Sequence, residues 1–345
     1  MREMTFTEAA REGLTEEMER DPLIFVVGEG IGVRGGNFNT TVGLYDRFGE
    51  WRLRDTPISE RGFTGMCIGA AALGARPVVD FMFLDFELDA LGDIINQATR
   101  LSWMSNGQVK VPLVLRGGVG VAATGPHHSS SLYSLFMHLP GIHVVTPVFP
   151  ADAKGLMKTA MRCNDPVIFL EHKKVMKLKG DVPDGELVIP FGKANVVRPG
   201  KDLTIVGISY MVVEALNAAN ALEKEGVSVE VIDPRTLAPL DLATILESLS
   251  KTHRLLIVDE DRVAVHADFT GVKVPVARIA HEATGKPITA NTVALGVLVG
   301  MTGVVSRDAL EKAVVARAPK GTDEMNRKAL QAGFAAAEKI KAVTG

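Results

Sequence analysis

In the first half of the chain, apolar residues form short unbroken runs, and between the runs they recur every three or four positions. LIFVV (23–27), PVVDFMF (77–83), VPLVLRG (111–117), HVVTP (143–147) and PVIFLEH (166–172) are continuous enough to predict strands buried on both faces. The periodic stretches predict helices over about 7–20, 59–75, 86–105 and 150–162. Thr5 and Glu8 have the spacing of a capping box for the first of them. Strands that alternate with helices predict a mainly parallel sheet covered on both sides. From 173 to 200 the periodicity lapses into Gly, Pro and charge, which marks a linker. A second α/β unit follows, with strands DLTIVGI, VSVEVID and RLLIVDE and helices near 211–225 and 241–251. Beyond residue 262 the pattern turns helical, over 290–302, 306–317 and 322–341.

At 345 residues and 46% hydrophobic the chain can build two domains, since single cores stop growing near ~250 residues. Thirty-eight Lys and Arg against 41 Asp and Glu give a formal charge of -3, too balanced to expect nucleic acid as a partner. Two cysteines, Cys67 and Cys163, form neither a disulfide framework nor a cluster spacing, which fits a cytoplasmic protein. The N-terminus mixes acids and bases without an apolar core, unlike a targeting peptide, and no run reaches the roughly 18 residues of a membrane span.

Ligands of open parallel sheets collect at the C-terminal ends of strands, so the loops there are where chemistry is expected. GEGIGVRGG (28–36) follows the first strand but lacks the helix that a dinucleotide fingerprint requires, and no GxxxxGK[ST] loop exists to cradle a phosphate. A GxSxG nucleophile elbow is also missing. Glu60, in DTPISERGFTG, reads by itself as a solvated acid at a helix N-terminus beside its cap Ser59. His127 and His128, in a Gly-rich loop ahead of three serines, can exchange protons near neutral pH. Phe86 reads as core, and Asp85, Asp89 and Asp93 as one solvated helix face.

Taken together and in order, VVGEGIG, GLYDRFG, DTPISERGFTGMCIGAAALGARPVVDFMF, INQATRLSWMSNGQVKVPLVLRG, HHSSSLYSLFMHLPGIHVVTP, DAKGLMKTAMR, DPVIFLEH and SVEVIDPRTLAPLD resemble one family. It is the beta subunit of the thiamine-diphosphate-dependent decarboxylating component of 2-oxoacid dehydrogenases, of the pyruvate, branched-chain or acetoin type. The likeness covers about three quarters of the chain, to about residue 260.

The resemblance implies two parallel-sheet domains of the transketolase-like type: a pyrimidine-binding domain (1–175), a linker (176–200) and a C-terminal domain (201–345) with an atypical helical end. It implies that Glu60 hydrogen-bonds the aminopyrimidine of thiamine diphosphate and promotes its imino tautomer. Phe86 then stacks on the pyrimidine, Glu29 and Ile58 line the cofactor cleft, and His128 orients the substrate or assists acyl transfer to lipoamide. A monovalent-cation site, for potassium, would fall on Leu113, Ala160, Met161, Cys163 and Asp165. The diphosphate and its magnesium belong to a separate alpha subunit, so the chain would supply half of an active site in an alpha2-beta2 heterotetramer. That assembly passes the acyl group of a 2-oxoacid to a lipoyl acyltransferase core.

The chain departs from the family at Gly30, where another acid is usual, at His127, where Gln is usual, and at Cys163, where Asp is usual. From about 262 to 335, with VPVARIAHEATGKPITANTVALGVLVGMTGVVSRDALEKAVV and NRKALQAGF as the matching stretches, the chain resembles the end of the gamma segment of 2-oxoacid:ferredoxin oxidoreductases. Two further readings therefore stay open: a non-catalytic assembly subunit, and a subunit related to those oxidoreductases.

Overall fold

A computed structural model of the chain describes residues 1–121, 125–259 and 274–344. The chain divides into two compact units, residues 1–219 with 228–263, and residues 220–227 with 264–345. The change of character expected near residue 262 lies outside the described residues, as does the end of the strand expected over 254–260.

In the first unit, a short strand β1 (Arg2–Thr5) runs into the helix Phe6–Arg20. The expected capping box opens that helix: the Glu8 N–H donates to Thr5 Oγ1 at 3.3 Å and the Thr5 N–H to Glu8 Oε2 at 2.8 Å. The central sheet is built from β2 (Ile24–Gly28), β3 (Leu53–Asp55), β4 (Arg76–Phe83), β5 (Val114–Val119), β6 (His143–Val145) and β7 (Val167–His172). These six strands run parallel, with Val26 opposite Val78, Asp80 opposite Arg116 and Arg116 opposite Phe169.

Their unbroken apolar character follows from burial on both faces. On one face Val27, Val79, Leu115 and Ile168 pack with Phe63, Cys67 and Ile68 of the helix Glu60–Ala72. On the other, Val26, Val78, Val114 and Phe169 pack with Leu14 and Met18 of the first helix and with Leu156 and Met157 of the helix Pro150–Arg162. Each such fully buried side chain contributes about 1.5–3 kcal/mol. The sheet also holds one buried ion pair: Arg116 on β5 grips Glu171 on β7 with both ends of its guanidinium, Nε to Oε2 at 2.8 Å and Nη2 to Oε1 at 2.6 Å.

Residues 173–200 hold two short strands that periodicity does not reveal, β8 (Lys179–Val182), antiparallel to β1, and β9 (Asn195–Arg198). β10 (Leu203–Gly207) and β11 (Val229–Asp233) then begin a second sheet. Next comes β12 (Thr236–Ala238), which pairs antiparallel with β6, so the first sheet reads β12-β6-β7-β5-β4-β2-β3. β13 (Leu255–Val258) completes the second sheet in the order β13-β10-β11-β9. The expected helix over 86–105 is replaced by a 3₁₀ turn (Leu84–Ala90), a short α turn (Leu91–Asp93), a π turn (Ile94–Ala98) and the helix Leu101–Met104. Thr99 donates its hydroxyl to the Ile95 carbonyl inside that stretch, the kind of back-bonding that bends a helix.

The second unit contains the helices Val276–Thr284, Ala290–Thr302, Arg307–Arg317 and Asp323–Thr344. Ala280, Val293, Val297 and Ala329 form one core and Val299, Leu330 and Phe334 another. Gly333 lets two helices meet backbone to backbone: a Cβ there would stand 2.3 Å from the Val293 carbonyl oxygen. No helix among the described residues is long and apolar enough to cross a membrane.

Candidate functional site

Parallel strands send their chemistry to their C-terminal ends, and the predicted residues gather there. Glu29 leaves β2, Phe86 sits in the 3₁₀ turn after β4, and His128 lies in the segment after β5. Glu60 opens the helix Glu60–Ala72, which packs against the turn carrying Phe86.

The rings form a cluster. His128 stands edge-on to Phe86 at 5.4 Å between ring centroids and to Phe83 at 4.6 Å, and Phe83 meets Phe38 at 5.3 Å. Phe86 is only partly buried, so it offers ring surface where a core residue would not. His127 touches His128 at 5.3 Å but is itself exposed.

Two carboxylates accompany the rings. Glu60 and Glu29 are both partly buried, and no described residue donates a hydrogen bond to either carboxylate. Glu29 titrates above the ordinary carboxyl range, first because burial disfavours its charge and then because the Glu60 carboxylate repels it. Ser59 caps the helix by position but makes no side-chain capping bond. Ile58 is 82% exposed, so no described residue covers it.

The segment bearing His128 is fixed from three sides. Gly120 donates its N–H to the Ser130 carbonyl at 3.1 Å, and Lys173, just past β7, donates its ammonium to the His128 carbonyl. Lys173 also lies over the Phe83 ring at 5.2 Å. Asp85 supplies the third tie, accepting from the Ser130 N–H at 3.2 Å and from the Ser130 hydroxyl. That corrects the reading of Asp85 as part of a solvated face. It is buried, because the 3₁₀ turn points it inward, whereas Asp89 is exposed and Asp93 pairs with Arg61 at 2.9 Å. Neither Asp85 nor Lys173 carries a sequence signal of its own beyond lying next to Phe86 and after the strand VIFLEH.

The residues expected around a monovalent cation lie elsewhere, at the opposite ends of the strands. Leu113 is buried and its carbonyl accepts from the Val167 N–H at 2.8 Å. Ala160 and Met161 end the helix Pro150–Arg162, and Cys163 and Asp165 follow it. The guanidinium of Arg76 reaches into this turn, donating to the carbonyls of Met161 at 2.8 Å and Cys163 at 2.5 Å and to Asn164 Oδ1 at 3.2 Å. A cation built into the chain thus already answers two of the expected carbonyls.

Residues 2–179 match the transketolase pyrimidine-binding domain and residues 192–314 the transketolase C-terminal domain. The pyruvate dehydrogenase E1 component subunit beta-2 of rice, a mitochondrial protein, is 42% identical over 84% of this chain and 81% of its own. The 2-oxoisovalerate dehydrogenase subunit beta of Bacillus subtilis is 44% identical over 75% of this chain and 80% of its own. The beta subunit of acetoin:2,6-dichlorophenolindophenol oxidoreductase of Cupriavidus necator is 45% identical over the same shares. A solved split-gene transketolase, an inactive beta4 tetramer, has the same fold, with a TM-score of 0.63 at 19% identity over 97% of this chain and 98% of that one. A transketolase-type α/β chain with these relatives belongs to the E1 beta subunits of the thiamine-diphosphate-dependent 2-oxoacid dehydrogenases.

Proposed function

We propose that Glu60, Glu29, Phe86 and His128 are this chain's half of a thiamine-diphosphate site that decarboxylates a 2-oxoacid in the cytoplasm, completed by an alpha subunit. The observation that carries the reading is the partly buried Glu60 carboxylate, which has no donor from a described residue and heads a helix packed against the turn of Phe86. A carboxylate that no described residue donates to, at the C-terminal ends of the strands, suits a ligand that brings its own N–H or protonated ring nitrogen.

Thiamine diphosphate, when bound, supplies the electron sink that lets a 2-oxoacid lose carbon dioxide. Glu60 accepts and returns a proton at its carboxylate. Glu29, whose proton is held more tightly by burial and by the charge of Glu60, serves as the second acid of the pair. Phe86 offers the flat surface for the pyrimidine and Ile58 an apolar edge, bare among the described residues and covered by the cofactor or the partner. His128, fixed through Ser130 and Lys173, presents its imidazole to the substrate and to the incoming lipoyl group of an acyltransferase core. The alpha subunit holds the diphosphate and magnesium. The Leu113, Ala160, Met161, Cys163 and Asp165 turn does not suit potassium, because the Arg76 guanidinium already takes the Met161 and Cys163 carbonyls and repels a second cation at those oxygens.

The relatives carry three different substrate names at nearly equal identity, so the test uses a panel of 2-oxoacids. The chain is combined with its alpha subunit, thiamine diphosphate, magnesium and an artificial electron acceptor. Turnover is expected to need both chains. Glu60→Gln should lower it about 10²–10⁴-fold while the complex still forms. Full activity in that variant would overturn the assignment.

A further inference from the structure

At the edge of the central sheet opposite the strand ends that carry Glu29 and Phe86, three side chains of different chemistry converge. His143 is the first residue of β6, and Cys163 and Asp165 lie in the turn between the helix Pro150–Arg162 and β7. Their donor atoms, an imidazole nitrogen, a thiol sulfur and a carboxylate oxygen, all lie within 4.8 Å of one another, with His143 Nε2 3.9 Å from Asp165 Oδ2. They are the one such group among the described residues.

The frame around them is built. The His143 N–H donates to the Pro166 carbonyl at 2.9 Å, which fixes the start of β6 against the turn. The His143 ring rests on Phe191 at 5.1 Å. The Asp165 N–H donates to Cys163 Sγ at 3.4 Å, which ties the thiol into the turn. On the inner side of the same turn the Arg76 guanidinium takes the backbone carbonyls, so the side chains alone make the outward face.

We propose that His143, Cys163 and Asp165 bind a zinc-type divalent cation, which clamps the start of β6 to the turn before β7. One nitrogen, one sulfur and one oxygen donor favour a borderline-soft metal over magnesium or potassium, which prefer oxygen alone. Tetrahedral zinc, with ligands at about 2.0–2.3 Å, brings donor atoms to roughly 3.5 Å from one another. The three groups must therefore close by roughly 1 Å. The Asp165 side chain is 50% exposed and that of His143 27%, so both have room to swing. The fourth position faces water. As the metal–sulfur bond forms, the thiol proton leaves to solvent.

The full-length, untagged, reduced chain is stripped of metal and titrated with cobalt(II), then with zinc. A thiolate-to-cobalt charge-transfer absorption is expected, and zinc should abolish it by displacement. Cys163→Ser should remove the band, and His143→Ala should weaken zinc binding at least about tenfold. Cys67→Ser, at the other, fully buried cysteine, should leave the band in place. If Cys163→Ser does not fold, Asp165→Asn serves instead, with a several-fold loss of zinc affinity expected. Absence of the band in the parent, its persistence in Cys163→Ser, or unaltered zinc affinity in His143→Ala would overturn the proposal.

Discussion

Replacing Arg116 by Leu removes one partner of a pair that is sealed inside the central sheet, the two side chains being 1% and 4% exposed. Burial works against the Arg116 cation, but the Glu171 carboxylate and then that of Asp80 outweigh it, so the guanidinium is held charged. Two charge-assisted bonds are lost and Glu171 keeps no replacement donor, which puts the loss near 3–5 kcal/mol. Without the guanidinium, burial and the nearby Asp80 both push the Glu171 carboxyl upward, so the folded chain holds its proton more tightly than the unfolded one. The deficit should therefore widen as pH rises above the ordinary Glu value of 4.5 and narrow as pH falls towards it. The double variant Arg116→Leu, Glu171→Leu removes both charges. Asp80 keeps the Thr40 hydroxyl at 2.8 Å and the Met82 N–H at 2.9 Å, so recovery to within about 1 kcal/mol of the parent is expected. Urea unfolding followed by circular dichroism gives the values, and hydrogen exchange at the amides of β5 and β7 assigns them to the sheet. A single variant that loses less than about 1 kcal/mol, or a double variant no better than the single, would refute the reasoning.

Two further outcomes are expected. Asp85→Ala frees the Ser130 N–H and hydroxyl, so exchange at residues 128–131 should quicken and turnover fall roughly ten- to a hundredfold with the complex intact; unchanged exchange would show that Asp85 does not hold the segment. Glu87 is fully buried, neither of its oxygens finds a donor among the described residues, and burial lifts its pKa well above 4.5. A raised carboxyl loses stability as pH climbs from the unfolded value towards the folded one, so Glu87→Leu should stabilise the chain by about 1–3 kcal/mol, and by more near pH 8 than near pH 5. Urea midpoints at the two pH values test this, and a gain that does not depend on pH would count against it.

What could be read from the sequence follows from where side chains are forced to be alike. β2, β4, β5 and β7 are apolar on both faces, so their runs stand out, and the Thr5–Glu8 spacing gave the first helix its start. β1, β8, β3 and β12 are three or four residues long and owe their pairing to a distant neighbour, which leaves no local pattern to find. The stretch after β4 has helical spacing, but its 3₁₀ and π turns rotate the side chains off one stripe, and that rotation buries Asp85 and Glu87. Phe86 and His128 meet as adjacent rings because two separate loops leave neighbouring strands, a proximity that follows from sheet order. Arg76 filling the Met161 and Cys163 carbonyls depends on a contact across the fold, between residues far apart in the chain.

The pairing of β12 with β6 bears on the order in which the protein is made. As synthesis proceeds from the N-terminus, β2 to β7 leave the ribosome with β6 as an open margin of the sheet, its unpaired N–H and C=O groups able to template a foreign strand. Thr236–Ala238, which seals that margin, is translated only after the strands β8 to β11. The length of message between the two segments thus sets how long the nascent chain is exposed to capture by a neighbour on the same polysome.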